Sequence, residues 1–288
     1  MPDRDWSLVF FTTLAQWSVG IVLWLTWPVL YHQGSSPIFE TGLSLMNPVL
    51  LALIFIGSAT LSSFLHLGNP ANAPKAINNL SGSWLSREIL AIGVFTASLV
   101  ITLVVGWKTG NTGQLKYLLA LSSLCGVALL WTMSRVYIMP TIPAWNTWFT
   151  PAGFVLTALG LGLLNLLILY SFGSIVIAGH IARVFWIAII SILLIEILAA
   201  LAYQHSLTGM EQGMAKLEFG KGSFYRVYII RLAILIFTFG LAVALAYQPG
   251  LLPGDSYSLW VILLSISSLL QELTGRLLFY SSYFRTGV

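Results

Sequence analysis

The chain has 288 residues, of which 58% are hydrophobic and only 8% charged. Soluble domains carry about a quarter charged residues, so this is the composition of an integral membrane protein. The single cysteine, Cys125, excludes an internal disulfide and an iron–sulfur cluster or Cys-rich zinc site held within the chain, and a net charge of +4 scattered over short loops speaks for membrane topology rather than nucleic-acid binding.

A membrane helix needs about 20 apolar residues. Stretches of that length predict eight spans, at residues 6–31, 43–66, 86–107, 116–138, 151–174, 181–203, 227–248 and 257–280. The first is too long, and too weakly basic at its start, for a cleavable signal peptide. Alternating segments of about 10 residues, the mark of membrane strands, are not visible. His66 closes the second span. The loop 67–85 holds Pro70, Pro74, Gly68, Gly82 and four asparagines, and cannot be helical throughout. The third span opens on Ser86-Arg87-Glu88, and Gly110-Asn111-Thr112-Gly113 turns into the fourth, which ends at Arg135 and Tyr137. Pro140, Pro143 and Pro151 separate the fourth and fifth spans. Residues 204–226 form the most charged loop, and Pro249-Gly250 with Pro253-Gly254-Asp255 form the last turn. Trp6, Trp27, Trp107, Trp145, Trp148 and Trp260 lie near span ends and suit an interfacial aromatic belt. Ala158 and Gly162, four apart on the fifth span, would let a neighbouring helix approach closely.

The expected fold is therefore all-α: one bundle of eight transmembrane helices over residues 1–288, a single domain with both termini on the same side. Ten of the thirteen basic residues fall on that terminal face by these boundaries, and Lys108, Lys116 and Arg183 on the other. The asymmetry places the termini in the cytoplasm.

The terminal face also gathers chemistry. His66 and Glu88 lie there on consecutive spans, with Arg87, Arg135, Tyr137 and Trp145 at the same level. A quinone head group is a flat ring with two oxygens. It needs a hydrogen-bond donor such as imidazole or phenol, and a proton acceptor when the quinol is oxidised. Histidine titrates near neutrality, and a partly desolvated glutamate also passes protons. The plainer alternatives are headgroup contacts for His66 and a simple Arg87–Glu88 ion pair. His32, His66, His180 and His205 sit at span ends and divide between the two faces, which does not suit a haem held by facing histidines inside the hydrocarbon. Glu196, about two turns inside the sixth span, is either a proton-path residue or a packing carboxyl. Glu272 and Arg276, spaced i, i+4, read as a structural pair. No nucleotide loop, metalloprotease motif, hydrolase elbow or other metal site is visible.

Taken in order, His66-Leu67-Gly68 and its loop, Leu85-Ser86-Arg87-Glu88-Ile89-Leu90, Arg135-Val136-Tyr137 and Ala144-Trp145 resemble the membrane-anchor subunit of the anaerobic dimethyl sulfoxide reductase family. The resemblance runs over essentially the whole sequence. It implies an eight-span anchor without haem in the bacterial inner membrane, working with an iron–sulfur subunit and a molybdopterin catalytic subunit in anaerobic respiration. It implies that menaquinol is bound and oxidised, with the family's site histidine on His66 and its site glutamate on Glu88. Catalytic subunits of the family commonly resemble exported proteins, which points to the other side of the membrane from the charge rule. Two rival readings are a polysulfide reductase-type quinone-interacting anchor and a proton-coupled transporter. The first places a site histidine in the opening span, where this sequence has only His32, at the wrong end.

Overall fold

The structure, a computed structural model, describes residues 4–31, 45–66, 79–110, 112–175, 177, 179–211, 219–247 and 255–284. Among these residues there are eight long helices and no strand. They are α1 (Arg4–Tyr31), α2 (Met46–His66), α3 (Trp84–Thr109), α4 (Thr112–Tyr137), α5 (Phe149–Ser171), α6 (Gly179–Glu211), α7 (Gly222–Ala246) and α8 (Asp255–Ser281). All eight are long and apolar enough to cross a membrane.

Local chemistry sets several ends. Ser83 caps α3, its side chain accepting from the Ser86 N–H at 3.3 Å. Gly110 closes the same helix at φ +57°, in the left-handed region that favours glycine, and its N–H returns to the Gly106 carbonyl. Other ends run past the predicted spans. α4 begins at Thr112 and not at residue 116, and α6 continues to Glu211 and not to residue 203. Hydropathy marks the apolar part of a helix, whereas the backbone ladder continues until a breaker stops it. Residues 204–211, expected in the charged loop, are thus helical, and the Gln204 amide donates to the Phe219 carbonyl at 2.8 Å. Residues 67–78 of the Asn- and Pro-containing loop, residues 212–218, and residues 248–254 of the last turn lie outside the described residues.

The helices form two four-membered rings. α1, α2, α3 and α4 close on one another, and so do α5, α6, α7 and α8; α1 joins the rings by packing on α5 and α8. Burial follows this plan: 67% of the apolar stretch of α1 is covered, against 22% for α7, which makes α1 the central helix. Leu61, Leu121, Leu124 and Ile187 point outward, as lipid-facing side chains should. Inside, polar groups bind across helices. The Ser18 hydroxyl donates to Ala52 O at 2.7 Å, and the Trp24 indole donates to Leu159 O at 2.8 Å. Trp6, Trp27, Trp107, Trp148 and Trp260 are exposed, consistent with a belt. Trp145 is the exception: it is buried among aromatic rings, and its N–H is used within the protein.

The α1–α5 crossing is very close. A Cβ on Gly162 would fall on the Gly20 backbone, and one on Gly20 would fall on the Ala158 carbonyl. The predicted small pair on α5 therefore does serve a close approach, with Gly20 as its partner. Gly162→Val should lower the unfolding stability of the protein in micelles by about 1–3 kcal/mol, the usual cost of overpacking. Gly240→Val, where a Cβ meets open space, should leave the same denaturant midpoint unchanged.

Candidate functional site

One end of the bundle collects the start of α1, the ends of α2 and α8, and the α4–α5 connection. Ser62 donates to Ser7 O at 2.9 Å, the Trp145 indole to Phe279 O at 2.7 Å, and Tyr280 lies against Thr12. α3 starts at this end, and its first turn splits the two charged neighbours. Successive residues on a helix point about 100° apart. Arg87 turns back onto the preceding loop, donating to Leu80 O and Ser81 O at 2.7 Å each, with its guanidinium 4.2 Å from the Trp84 ring centre. Glu88 turns inward and is only 3% exposed. Its Oε1 is buried with no hydrogen-bond partner among the described residues. The simple Arg87–Glu88 ion pair is thereby set aside, because helix geometry sends the two side chains to different surroundings.

Arg135 lies over Trp84 and Trp131, at 5.0 and 5.7 Å from the ring centres, and its Nε is buried with no hydrogen-bond partner among the described residues. Tyr137 is buried in an aromatic cage of Trp145, Phe154, Phe279 and Tyr280. The Tyr280 hydroxyl bonds that of Tyr137 at 2.9 Å and lies 3.4 Å from Thr12 Oγ1. Glu88 is near enough to act electrostatically on both phenols. Trp145 contributes a wall and not a donor. Glu88, Tyr137 and Trp145 therefore share one neighbourhood, while Arg87 belongs to the loop. The backbone of His66 ends α2; its side chain lies outside the described residues.

A second polar cluster occupies the centre of the α5–α8 ring. A cleft of roughly 650 Å³, including its open mouth, runs from Phe149 and Thr150 at the start of α5 inward to Glu196, Arg231, Glu272 and Arg276. Glu196 on α6 and Glu272 on α8 are linked across the ring through one amide. The Gln271 amide donates to Glu196 Oε2 and Glu272 Oε1 at 3.0 Å each. Glu272 Oε2 accepts from Thr157 at 2.7 Å. Arg276 donates to Gln16 Oε1 and, at 3.2 Å, to Thr157 Oγ1, with its guanidinium 4.0 Å from the Phe154 ring centre. Glu272 and Arg276 are thus joined through Thr157 on a neighbouring helix, rather than as the pair along α8 that their spacing suggested. Arg231 lies against Gly275, where a Cβ would meet its guanidinium at 2.7 Å, and its Nε has no hydrogen-bond partner among the described residues.

Sequence reasoning named Glu196 and missed Arg231, Gln271, Thr157 and Gln16 as its company. Arg231 carried a usable signal: it is a cation nine residues past the start of a membrane-length helix, and such residues default to a functional reading. Counting Arg231 and Arg276 among the loop charges was an error of depth. Without them the terminal face keeps eight basic residues against three.

The fold is that of a multi-span membrane protein with ionisable groups buried inside the bundle. The protein belongs to the DMSO reductase anchor subunit family (DmsC), whose model matches residues 2–282. It is 30% identical to the anaerobic dimethyl sulfoxide reductase chain YnfH of Escherichia coli over 161 residues, 54% of each sequence. It is 33% identical to an anaerobic dimethyl sulfoxide reductase chain of Haemophilus influenzae over 156 residues, 52% of this sequence and 53% of that one. These two matches span about half the length of the relatives. A third, to another anaerobic dimethyl sulfoxide reductase chain of Escherichia coli, is 28% identical and covers 99% of this sequence and 97% of the relative.

Trp145→Phe should keep the ring stack and leave the Phe279 carbonyl without its donor. The expected loss is about 1–3 kcal/mol, read as a lower denaturant midpoint of the purified protein; an unchanged midpoint would show that the bond contributes nothing.

Proposed function

We propose that this protein is the quinol-oxidising anchor of a molybdopterin reductase complex in the bacterial inner membrane. It binds menaquinol at the end of the bundle where α2 stops and α3 begins, and hands the electrons to an iron–sulfur subunit docked on that end. The observation that carries this reading is the Glu88 carboxyl, buried one turn into α3 with one oxygen unpartnered among the described residues. A buried polar atom without a partner costs free energy unless something binds it. A quinol hydroxyl is a donor of the right kind.

Oxidation of one quinol releases two electrons and two protons. Glu88 accepts the proton of one hydroxyl as electrons leave for the partner. His66, at the end of the neighbouring helix, serves the other oxygen. Tyr137 and Trp145 supply an aromatic wall for the ring, and Arg135, over Trp84, lies on the same side of the bundle. Arg87 acts indirectly, by fixing the turn that precedes α3.

Two experiments test this. In the assembled complex, Glu88→Gln and His66→Ala should each lower quinol-driven turnover by about 10²-fold or more, the usual share of a general base. Turnover driven by a dye that reduces the soluble subunits directly should be unchanged. Quinol-driven turnover at the wild-type rate in both variants would remove the site. The position of the electron acceptor gives the second test, since the partner must cover the quinol end. Lys221→Glu at that end should loosen the complex, whereas Lys116→Glu at the opposite end should not; crosslinks from the soluble subunits mapping mainly to residues 108–116 would overturn the docking face. The same charge asymmetry supports cytoplasmic termini.

A further inference from the structure

The α5–α8 cleft is separated from the Glu88 neighbourhood by a shared aromatic partition. Phe154 and Phe279 touch Tyr137 on one side and line the cleft on the other. Behind that partition the two carboxyls of Glu196 and Glu272 are 5% and 4% exposed and share the Gln271 amide, which lies 3.0 Å from one oxygen of each. Two carboxylates held this close repel when both are ionised, and a shared proton removes that repulsion. Glu272 accepts on both oxygens, from Gln271 and from Thr157, and Glu196 accepts from Gln271 on Oε2.

The charges around the pair oppose a second proton. Arg231 on α7 and Arg276 on α8 face it with two positive charges. α5 presents Thr157 and no ionisable group, α6 adds only the Tyr203 phenol at the cleft wall, and α1 presents the neutral Gln16. A singly protonated pair avoids both the repulsion of the doubly ionised form and the excess positive charge of the doubly protonated one.

We propose that the Glu196–Glu272 pair is a proton-transfer station, fed from the quinol site and emptied into the cleft. This rests on the quinol reading above. The route in runs from Glu88 past the hydrogen-bonded Tyr137 and Tyr280 hydroxyls, on which both Glu88 and Arg276 act electrostatically. One proton arrives at Glu272 and one leaves Glu196 for cleft water; no electron moves in this step, and the resting pair is restored. Phe149 and Thr150 at the start of α5 line the same cleft.

The resting state is read by infrared spectroscopy of the purified protein in detergent. Wild type should show a protonated-carboxyl stretch that shifts in heavy water and is lost in both Glu196→Gln and Glu272→Gln. In the assembled complex each of these variants should reduce quinol-driven turnover by about 10²-fold, the lower end of the range for proton-transfer catalysis, while dye-driven turnover and the amount of complex in the membrane stay at wild-type levels. A spectrum without such a band, or with one untouched by either substitution, overturns the shared proton. Wild-type quinol turnover in both variants, with Glu88→Gln inactive, overturns the station and leaves the quinol site standing. Wild-type quinol turnover in Glu88→Gln and His66→Ala, together with losses in the two cleft variants, instead overturns the quinol site as placed.

Discussion

The contact between Gly20 and the Ala158–Gly162 face is what the rest of the bundle is built around. It brings the backbones of α1 and α5 together, and in doing so sets α1 at the seam of the two rings. Residues four apart on a helix share a face. Thr12, Gln16 and Gly20 therefore line one stripe of α1. The same stripe that touches α5 with Gly20 offers Gln16 to Arg276 and Thr12 to Tyr280 on α8. A side chain at Gly162 would widen the crossing and withdraw both polar partners. Spacing in the apolar half of the contact thus controls satisfaction in the polar half.

That coupling matters because lipid offers no substitute partners. A guanidinium inside a span that loses its acceptor finds no replacement in hydrocarbon. Arg276 is held on three sides, by Gln16, by Thr157 and by the face of Phe154, drawn from α1 and α5. Its charge then faces the buried carboxyls of its own helix and of α6. The cluster is best understood as one unit contributed by five helices, so removing any single member leaves the others poorly matched.

The spans were legible because a run of about 20 apolar residues has few other uses. Breakers such as Gly110 and the prolines near residue 140 made most turns legible too. Helix ends past the hydrocarbon were not, since residues 204–211 and 112–115 are polar enough to resemble loop and yet did not stop a helix. Glu88 stood out through scarcity of charge, and its separation from Arg87 follows from helix periodicity alone. The α5–α8 cluster was only half legible. Glu196 was visible by depth, but which helices face it depends on the ring closure, and no local pattern encodes that. Gln271 and Thr157 are ordinary polar residues until a carboxyl is placed opposite them.

The two acidic sites differ in a way that assigns them different work. Glu88 is alone, has an oxygen unpartnered among the described residues, and lies beside two phenols that already satisfy each other. Its environment lacks something that a ligand could supply. Glu196 and Glu272 instead have each other, a shared amide and two nearby guanidiniums. These carboxyls are thus supplied from within the protein, while Arg231 Nε and Gln271 Oε1 beside them have no hydrogen-bond partner among the described residues. The aromatic partition of Phe154 and Phe279 lies between the two, touching Tyr137 on one side and lining the cleft on the other.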